Sequence, residues 1–409
     1  MRESDNIIVG LDVGTTEICV VVAEIFDGKE INIVGYGTHP STGLRKGYVV
    51  NIVSTVESIR RAIEDAENSA NCGTIKSVYV SISGEHISGN YAKGNVHIKG
   101  DEVTKQDVES VIENAKALTL PPDRRIIHVI PQQYSVGNMR DILNPVGMSG
   151  KKLEVRTHII TASDELVNNI VRCCNRADLK VCDIASESFV SGMAVLTEEE
   201  KELGCIVINI GGGTTNLAYF KNKSLHFIYE LSLGGNIMTK DLSIGLRTPL
   251  PEAEDIKIRY GTCVTDTAKN KSSIAVKGLG GRNPQNHPMD MLPEILGARV
   301  DEMFKKIKEE LEDKKLLDRF PAGIIITGGS VHLRGIIDII GSVFKGSPIR
   351  IGIPDKFNGK RDVIEQPEFA TATGLVLFGL EYGKSISKHN ESKSQSIFRR
   401  ILQKLKELL

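Results

Sequence analysis

The sequence has no apolar run that could cross a bilayer. The longest near its start, Ile18 to Ala23, is six residues, against about 20 for a spanning helix. Its first residues, Met1-Arg2-Glu3-Ser4-Asp5, lack the cationic segment of a secretory signal. Net charge is nearly absent, with 51 Lys and Arg against 52 Asp and Glu. No global basic field exists, which argues against nucleic acid as the main partner. The 7 cysteines form no CxxC pair, Cys173 and Cys174 being adjacent, and the 9 histidines form no HExxH. These absences point to free thiols in a reducing compartment and argue against a structural zinc site. Two common phosphate motifs are also missing. There is no GxxxxGK followed by Ser or Thr, and no GxGxxG between a strand and a helix.

What remains is ample. At roughly 150 residues per domain, the 409 residues make about 2.7 domains. Apolar residues are 40% and charged residues 25%, ordinary for a globular chain. Strands are predicted at residues 6–12, 18–26, 31–35 and 77–83, with Asp27-Gly28 as a hairpin turn. Ile52, Val56, Ile59 and Ile63 recur at helical spacing and predict a helix over 53–69. A second helix is predicted over 104–118, capped by Thr104 and stopped by Pro121-Pro122. Residues 157–162 read as a strand and 164–177 as a helix. Strands follow at 203–210, 216–220 and 225–231, then a mostly helical stretch over 236–304. A long charged helix (294–319), a strand (323–327) and a helix (330–344) complete the pattern of α/β layers.

One internal echo organises the chain. Val9-Gly-Leu-Asp-Val-Gly-Thr-Thr-Glu-Ile18 resembles Val207-Ile-Asn-Ile-Gly-Gly-Gly-Thr-Thr-Asn-Leu217. Each is a strand, a polar residue near its end, a glycine turn, paired threonines and a second strand, which points to two related halves. Glycine turns bring backbone N–H groups close to an anion because no Cβ blocks the approach. Gly211, Gly212 and Gly213 can do this, with Thr214 and Thr215 adding hydroxyls; Gly14, Thr15 and Thr16 offer a smaller version. Facing each other, the two turns would grip a polyphosphate. Asp12 is placed to order the water shell of Mg²⁺, an ion that keeps several waters and meets one or two carboxylates. A third turn, Gly328-Gly329-Ser330 after the apolar run Ile324-Ile325-Ile326, could seat an adenosine. Taken singly, each turn reads first as an ordinary hairpin or β–α turn, and only the three together favour the ligand reading.

The end of the chain reads differently. Residues 383–396 hold one apolar residue, Ile386, among Ser, Lys, Asn and Gln, the composition of a flexible linker. On a helix at about 100° per residue, Ile397, Phe398, Ile401, Leu402, Leu405, Leu408 and Leu409 fall within an arc of about 140°. Arg399, Arg400, Gln403, Lys404, Lys406 and Glu407 take the rest. An amphipathic, cationic helix of this kind lies in the plane of an anionic membrane surface. The competing reading is a helix that docks on its own protein or on a partner.

The three turns, in this order, resemble the ATPase superfamily of actin, heat-shock ATPases and sugar kinases. Within it the chain resembles the FtsA family of actin-like bacterial cell-division proteins, from about residue 7 to its end. The matching stretches are Leu44-Arg-Lys-Gly47, His128-Val-Ile-Pro-Gln132, Asn144-Pro-Val-Gly-Met-Ser-Gly150, Ala253-Glu-Asp-Ile-Lys257 and Ile351-Gly-Ile-Pro354. The resemblance implies an α/β, actin-like (ribonuclease H-like) two-lobe fold with an inserted α+β subdomain and a C-terminal amphipathic helix. The first lobe would take 1–83, 161–202 and 363–382, with the insert at 84–160. The second would take 203–235 and 305–362, with a smaller subdomain at 236–304. A linker at 383–396 and a membrane-targeting helix at 397–409 would follow. Further implications are ATP and Mg²⁺ as ligands, with Glu254 and Lys257 approaching ribose and base. The family's partners are filaments of the tubulin-like GTPase FtsZ, whose tail would meet Glu294 and Arg299, further copies of the chain, and later division proteins. Its place is the cytoplasmic face of the inner membrane at the septum.

The chain departs from the family in one way. Relatives read Asp-x-Gly-Gly-Gly-Thr-x-Asp at the second hairpin, whereas here both acids are amides, Asn209 and Asn216. An amide cannot act as a general base and holds hydrated Mg²⁺ more weakly. General-base help is typically worth about 10²–10⁴-fold, so nucleotide binding with slow or absent hydrolysis is expected. A small-molecule kinase of the same fold is the alternative, disfavoured by the amides and by the cationic end. A pilus-assembly or rod-shape relative would share the cleft.

Overall fold

The computed structural model of the chain describes residues 6–26, 30–117, 120–265 and 272–383. The expected Asp27-Gly28 turn and the segment 384–409 lie outside the described residues. The chain begins with a meander, β1 (Ile7–Val13), β2 (Glu17–Phe26) and β3 (Glu30–Pro40). The β2 run is almost wholly apolar because both of its faces are covered. Ile18, Val20 and Val22 enter one core and Cys19, Val21, Ala23 and Ile25 another. Helix α1 (Ile52–Ala70) follows, its buried stripe of Val56, Ile59, Ala62, Ile63 and Ala66 laid on β3. Asn51 caps it, its side chain accepting from the Ser54 N–H at 3.1 Å. β4 (Ser77–Ile82) then pairs in parallel with β1.

The chain next leaves the sheet to build a separate layer. β5 (Ser88–His97), α2 (Lys105–Ala115), β6 (Arg124–Val136), β7 (Met139–Ile142) and β8 (Lys152–Ser163) form an antiparallel sheet, ordered β5-β8-β6-β7, with its own core. α3 (Asp164–Arg176) and β9 (Lys180–Ser186) return to the first sheet, and α4 (Glu187–Val195) runs between the lobes. The second lobe repeats the opening meander as β10 (Cys205–Ile210), β11 (Thr215–Lys221) and β12 (Ser224–Leu231). Helices α5 (Gly235–Gly245) and α6 (Leu250–Tyr260) follow. Next come a hairpin of β13 (Ser273–Val276) and β14 (Gln285–Pro288), then α7 (Met291–Asp313). β15 (Ile324–Thr327), α8 (Ile336–Val343) and β16 (Ile349–Ile351) finish the second sheet, and α9 (Ala370–Gly383) crosses back to α4. That crossing is close: a Cβ on Gly374 would lie 2.0 Å from the Val190 carbonyl oxygen.

The two large sheets have one topology. The first is ordered β3-β2-β1-β4-β9 with a short edge at Asn358–Gly359, and the second β12-β11-β10-β15-β16. In each, three antiparallel strands are followed by two added in parallel. The echo between residues 9–18 and 207–217 is thus the equivalent hairpin of each sheet.

Several elements differ from expectation. α2 stops at Ala115, the last buried position on its stripe, well before Pro121-Pro122. α7 stops at Asp313, where Leu311 is its last buried residue. Lys315 then turns left-handed (φ 56°) and the Leu316 N–H closes on the Leu311 carbonyl at 2.8 Å. The helix expected over 330–344 is broken. A 3₁₀ turn (Gly329–His332) and Gly335 at φ 76° precede α8. The stretch 236–304 contains the β13–β14 hairpin besides its helices, and β9 and α4 were not anticipated.

Candidate functional site

The β1–β2 turn and the β10–β11 turn meet. A Cβ on Gly212 would lie 1.8 Å from Thr16 Oγ1, and one on Gly213 2.4 Å from Thr15 Oγ1. Only glycine permits that approach. Thr15 Oγ1 also accepts from the Gly47 N–H at 3.0 Å, and Thr16 Oγ1 lies 3.3 Å from Asn236 Oδ1. Gly14 sits in the same turn, its would-be Cβ 2.5 Å from the Glu17 carbonyl oxygen. Thr214 and Thr215 are buried at the far side of the second turn, where Thr215 Oγ1 donates to the Leu233 carbonyl at 2.8 Å.

The third turn joins them. Ser330 Oγ donates to the Gly211 carbonyl at 3.2 Å. Gly328, at φ 89°, packs so closely that a Cβ there would lie 2.2 Å from Asn209 Oδ1. α5 begins at the same point, with the Gly235 N–H on the Gly211 carbonyl (2.9 Å) and the Asn236 N–H on the Gly212 carbonyl (2.7 Å). From α6, Lys257 Nζ reaches the Gly235 carbonyl (3.1 Å), Thr239 Oγ1 (2.8 Å) and Glu254 Oε2 (2.8 Å). Glu254 also accepts from Thr239. The i,i+3 ion pair forms, and the same ammonium holds the first residue of α5 through the Gly235 carbonyl. Would-be Cβ atoms on Gly211 and Gly329 would meet neighbours only at ordinary van der Waals distance, nothing being nearer than 3.4 and 4.0 Å.

Beneath the turns lies a buried acidic set. Asp12 accepts from Ser81 Oγ at 2.6 Å, and burial raises its carboxyl to about 6, with a smaller push from Glu17. Glu187, at the start of α4, is raised well above the usual carboxyl range by burial and by the charges of Asp12 and Glu230. Glu230 is pushed up to about 8 by burial, although Ser188 Oγ and the Gly84 N–H donate to it. Glu230, Asn216, Asn209 and Thr327 face one another across β12, β11, β10 and β15, and all four are buried. The Asn209 amide nitrogen lies 2.9 Å from Glu187 Oε1, 3.0 Å from Ser191 Oγ and 2.9 Å from Thr371 Oγ1. Asn216 Nδ2 donates to Thr214 Oγ1 at 3.3 Å.

The sequence-level reading therefore named residues that the fold collects: Asp12, the two glycine-threonine turns, Gly328 to Ser330, Glu254 and Lys257. It missed Ser81, Glu187, Glu230 and Asn236. Glu230 carried a signal, as the one acid in the strand Leu225–Leu231. Among the described residues no group of three or more His, Cys, Asp and Glu could hold a metal ion. Asp12 alone still suits a largely hydrated Mg²⁺. Glu294 and Arg299 lie elsewhere, on α7. Glu294 is exposed, whereas Arg299 is engaged with Asp241 of α5 (2.5 and 3.1 Å) and with Glu302. The amphipathic segment 397–409 lies outside the described residues.

Comparison with known proteins bears on the family and the fold. The family described as "Cell division protein FtsA" matches residues 206–374, and "SHS2 domain inserted in FTSA" matches residues 84–161. Cell division protein FtsA of Pseudomonas aeruginosa is 38% identical over 395 residues, covering 97% of this chain and 93% of its own. That of Neisseria meningitidis is 40% identical over 380 residues (92% and 91%). That of Escherichia coli K12 is 35% identical over 383 (92% and 91%). Among solved structures, a chain of the PilM-PilN type IV pilus biogenesis complex superposes with a TM-score of 0.67 at 16% identity (91% of this chain, 98% of that one). MreB5 of Spiroplasma citri bound to ADP gives 0.59 at 14% identity (94% and 99%). The fold is actin-like.

Proposed function

The chain belongs to the FtsA family of cell division proteins, and from that premise we propose that it binds ATP and links FtsZ filaments to the cytoplasmic face of the inner membrane at the septum. The observation that carries nucleotide binding is the meeting of Gly211–Thr215 with Thr15, Thr16 and Ser330 at one point between the lobes. Gly14 to Thr16 and Gly211 to Thr215 would hold the phosphates through backbone N–H groups and hydroxyls. Gly328 to Ser330, Glu254 and Lys257 would hold the nucleoside, and Asp12 would order the waters of Mg²⁺. When bound, Mg²⁺ would supply charge neutralisation at the phosphates. A fold neighbour solved with ADP supports the reading.

Hydrolysis should be slow. Asn209 and Asn216 cannot take a proton, so neither can act as general base. The remaining roles rest on the family: FtsZ docking on the 236–304 subdomain around Glu294 and Arg299, self-association into filaments, and recruitment of later division proteins through 84–160. Membrane attachment rests on the cationic, amphipathic pattern of 397–409. Arg299 would have to exchange Asp241 and Glu302 for an acidic peptide.

The test is equilibrium uptake of labelled ATP and ADP by the full chain, with and without Mg²⁺. Saturable uptake is expected, weakened by Lys257→Ala. Absence of saturable uptake under either condition would overturn nucleotide binding.

A further inference from the structure

A cavity of about 290 Å³ lies away from the nucleotide site, where three units of the fold meet. β6 of the inserted layer contributes Gln132 and Tyr134, α4 contributes Phe189 and Met193, the β11–β12 turn contributes Asn222 and Lys223, and the start of β12 contributes Leu225. The final turn of α9 supplies Tyr382. The walls are mainly apolar, and Leu143 stands exposed at the mouth. Among the described residues, Gln132 Oε1 and the Tyr134 hydroxyl are buried without a hydrogen-bond partner. Gln132 spends its amide nitrogen on the Leu225 carbonyl at 3.0 Å, leaving its oxygen unmatched. Walls of this composition suit a segment that carries apolar side chains.

The chain itself carries such a segment and delivers it to this rim. Tyr382 is one residue from the end of α9 at Gly383. Thirteen polar-rich residues, 384–396, then lead to Ile397, a tether with a reach of about 20 Å. The segment it carries has apolar side chains at 397, 398, 401 and 402, the spacing of one helical face. The cavity, at the low end of small-ligand pockets, has room for two or three of these side chains rather than for a whole helix. A tether this short holds its cargo at about millimolar effective concentration, so even weak docking is populated.

We propose that Phe398 and its helical neighbours Ile401 and Leu402 dock in the cavity between β6, α4 and the β11–β12 turn when no membrane is present. The cavity and the lipid surface then compete for the same apolar face. This competition rests on the membrane reading given above, whereas the docking itself does not.

The test places a photoreactive benzophenone side chain at Phe398 in the full chain and maps adducts by mass spectrometry in the monomer fraction. Without lipid, adducts to Met193, Leu225 or Tyr134 are expected. Leu143→Asp, at an exposed position that spares the fold, should lower their yield at least about fivefold. Vesicles containing phosphatidylglycerol should lower it similarly. Adducts scattered over the surface, adducts only between chains, or cavity adducts indifferent to Leu143→Asp would overturn the docking. Flotation with vesicles but no cavity adducts removes the docking and leaves the anchor. Cavity adducts without flotation sustain the docking and remove the anchor.

Discussion

At the residue scale, the candidate site is governed by the burial of acids beside amides. Glu230 holds its proton up to about pH 8, against 4.5 for an ordinary glutamate. The folded state therefore binds a proton that the unfolded state releases. The associated stability is full below pH 4.5 and is lost as pH rises towards about 8. Melting temperature should fall across that interval, and Glu230→Gln should flatten the fall; the remaining slope would belong to Glu187 and Asp12. An unchanged slope in the variant would remove Glu230 as its source. Asn209 makes a second prediction. Its amide nitrogen serves Glu187, Ser191 and Thr371, and an aspartate there could donate to none of them. Asn209→Asp should cost about 1–3 kcal/mol by urea unfolding. In single-turnover assays wild-type hydrolysis should be slow, and fast wild-type turnover would contradict the role given to the two amides.

At the element scale, the fold depends on a helix lying very close to a strand. A Cβ on Gly37 of β3 would lie 2.1 Å from the Ala62 carbonyl oxygen, and one on Gly35 2.4 Å from Ala70 Cβ. The small residues Ala62, Ala66 and Ala70 form the matching stripe of α1. Gly37→Ala should force the two apart and destabilise the chain by about 1–3 kcal/mol, read as a lower midpoint in urea. The same mutation at Gly73, where nothing lies within 4 Å, differs in that only its φ of 77° opposes a side chain. Helix ends were the least legible elements. Thr104 was readable as a cap because its box with Asp107 is local, the side chain of each meeting the backbone of the other. The ends at Ala115 and Asp313 were not, because burial ran out before any breaker residue appeared.

At the scale of the whole molecule, two sheets of one topology close over a shared site, so ligand binding should couple to global stability. ATP or ADP at 100 times its dissociation constant should stabilise the chain by about 2.7 kcal/mol, seen as a rise in melting temperature. No rise with either nucleotide would argue against a site between the lobes. The far end of the chain supplies an independent prediction. Removing residues 397–409 should abolish flotation with anionic vesicles while leaving nucleotide uptake unchanged. Equal flotation with and without the segment would eliminate it as the anchor.

Residue pattern by itself determined the two glycine hairpins, the echo that relates them, the turn at Gly328–Ser330 and the apolar–cationic alternation written in residues 397–409. Each is written in neighbours a few positions apart, where strand pairing, glycine's freedom and helical periodicity act locally. The tertiary structure alone decided that Glu187 and Glu230 lie beneath those turns, that Asn209 is occupied by Glu187, and that a cavity opens beside the last turn of α9. These depend on desolvation and on contacts between segments as far apart as residues 12, 81, 187 and 230. No spacing along the chain encodes how deeply a carboxyl will be buried or which charge it will face.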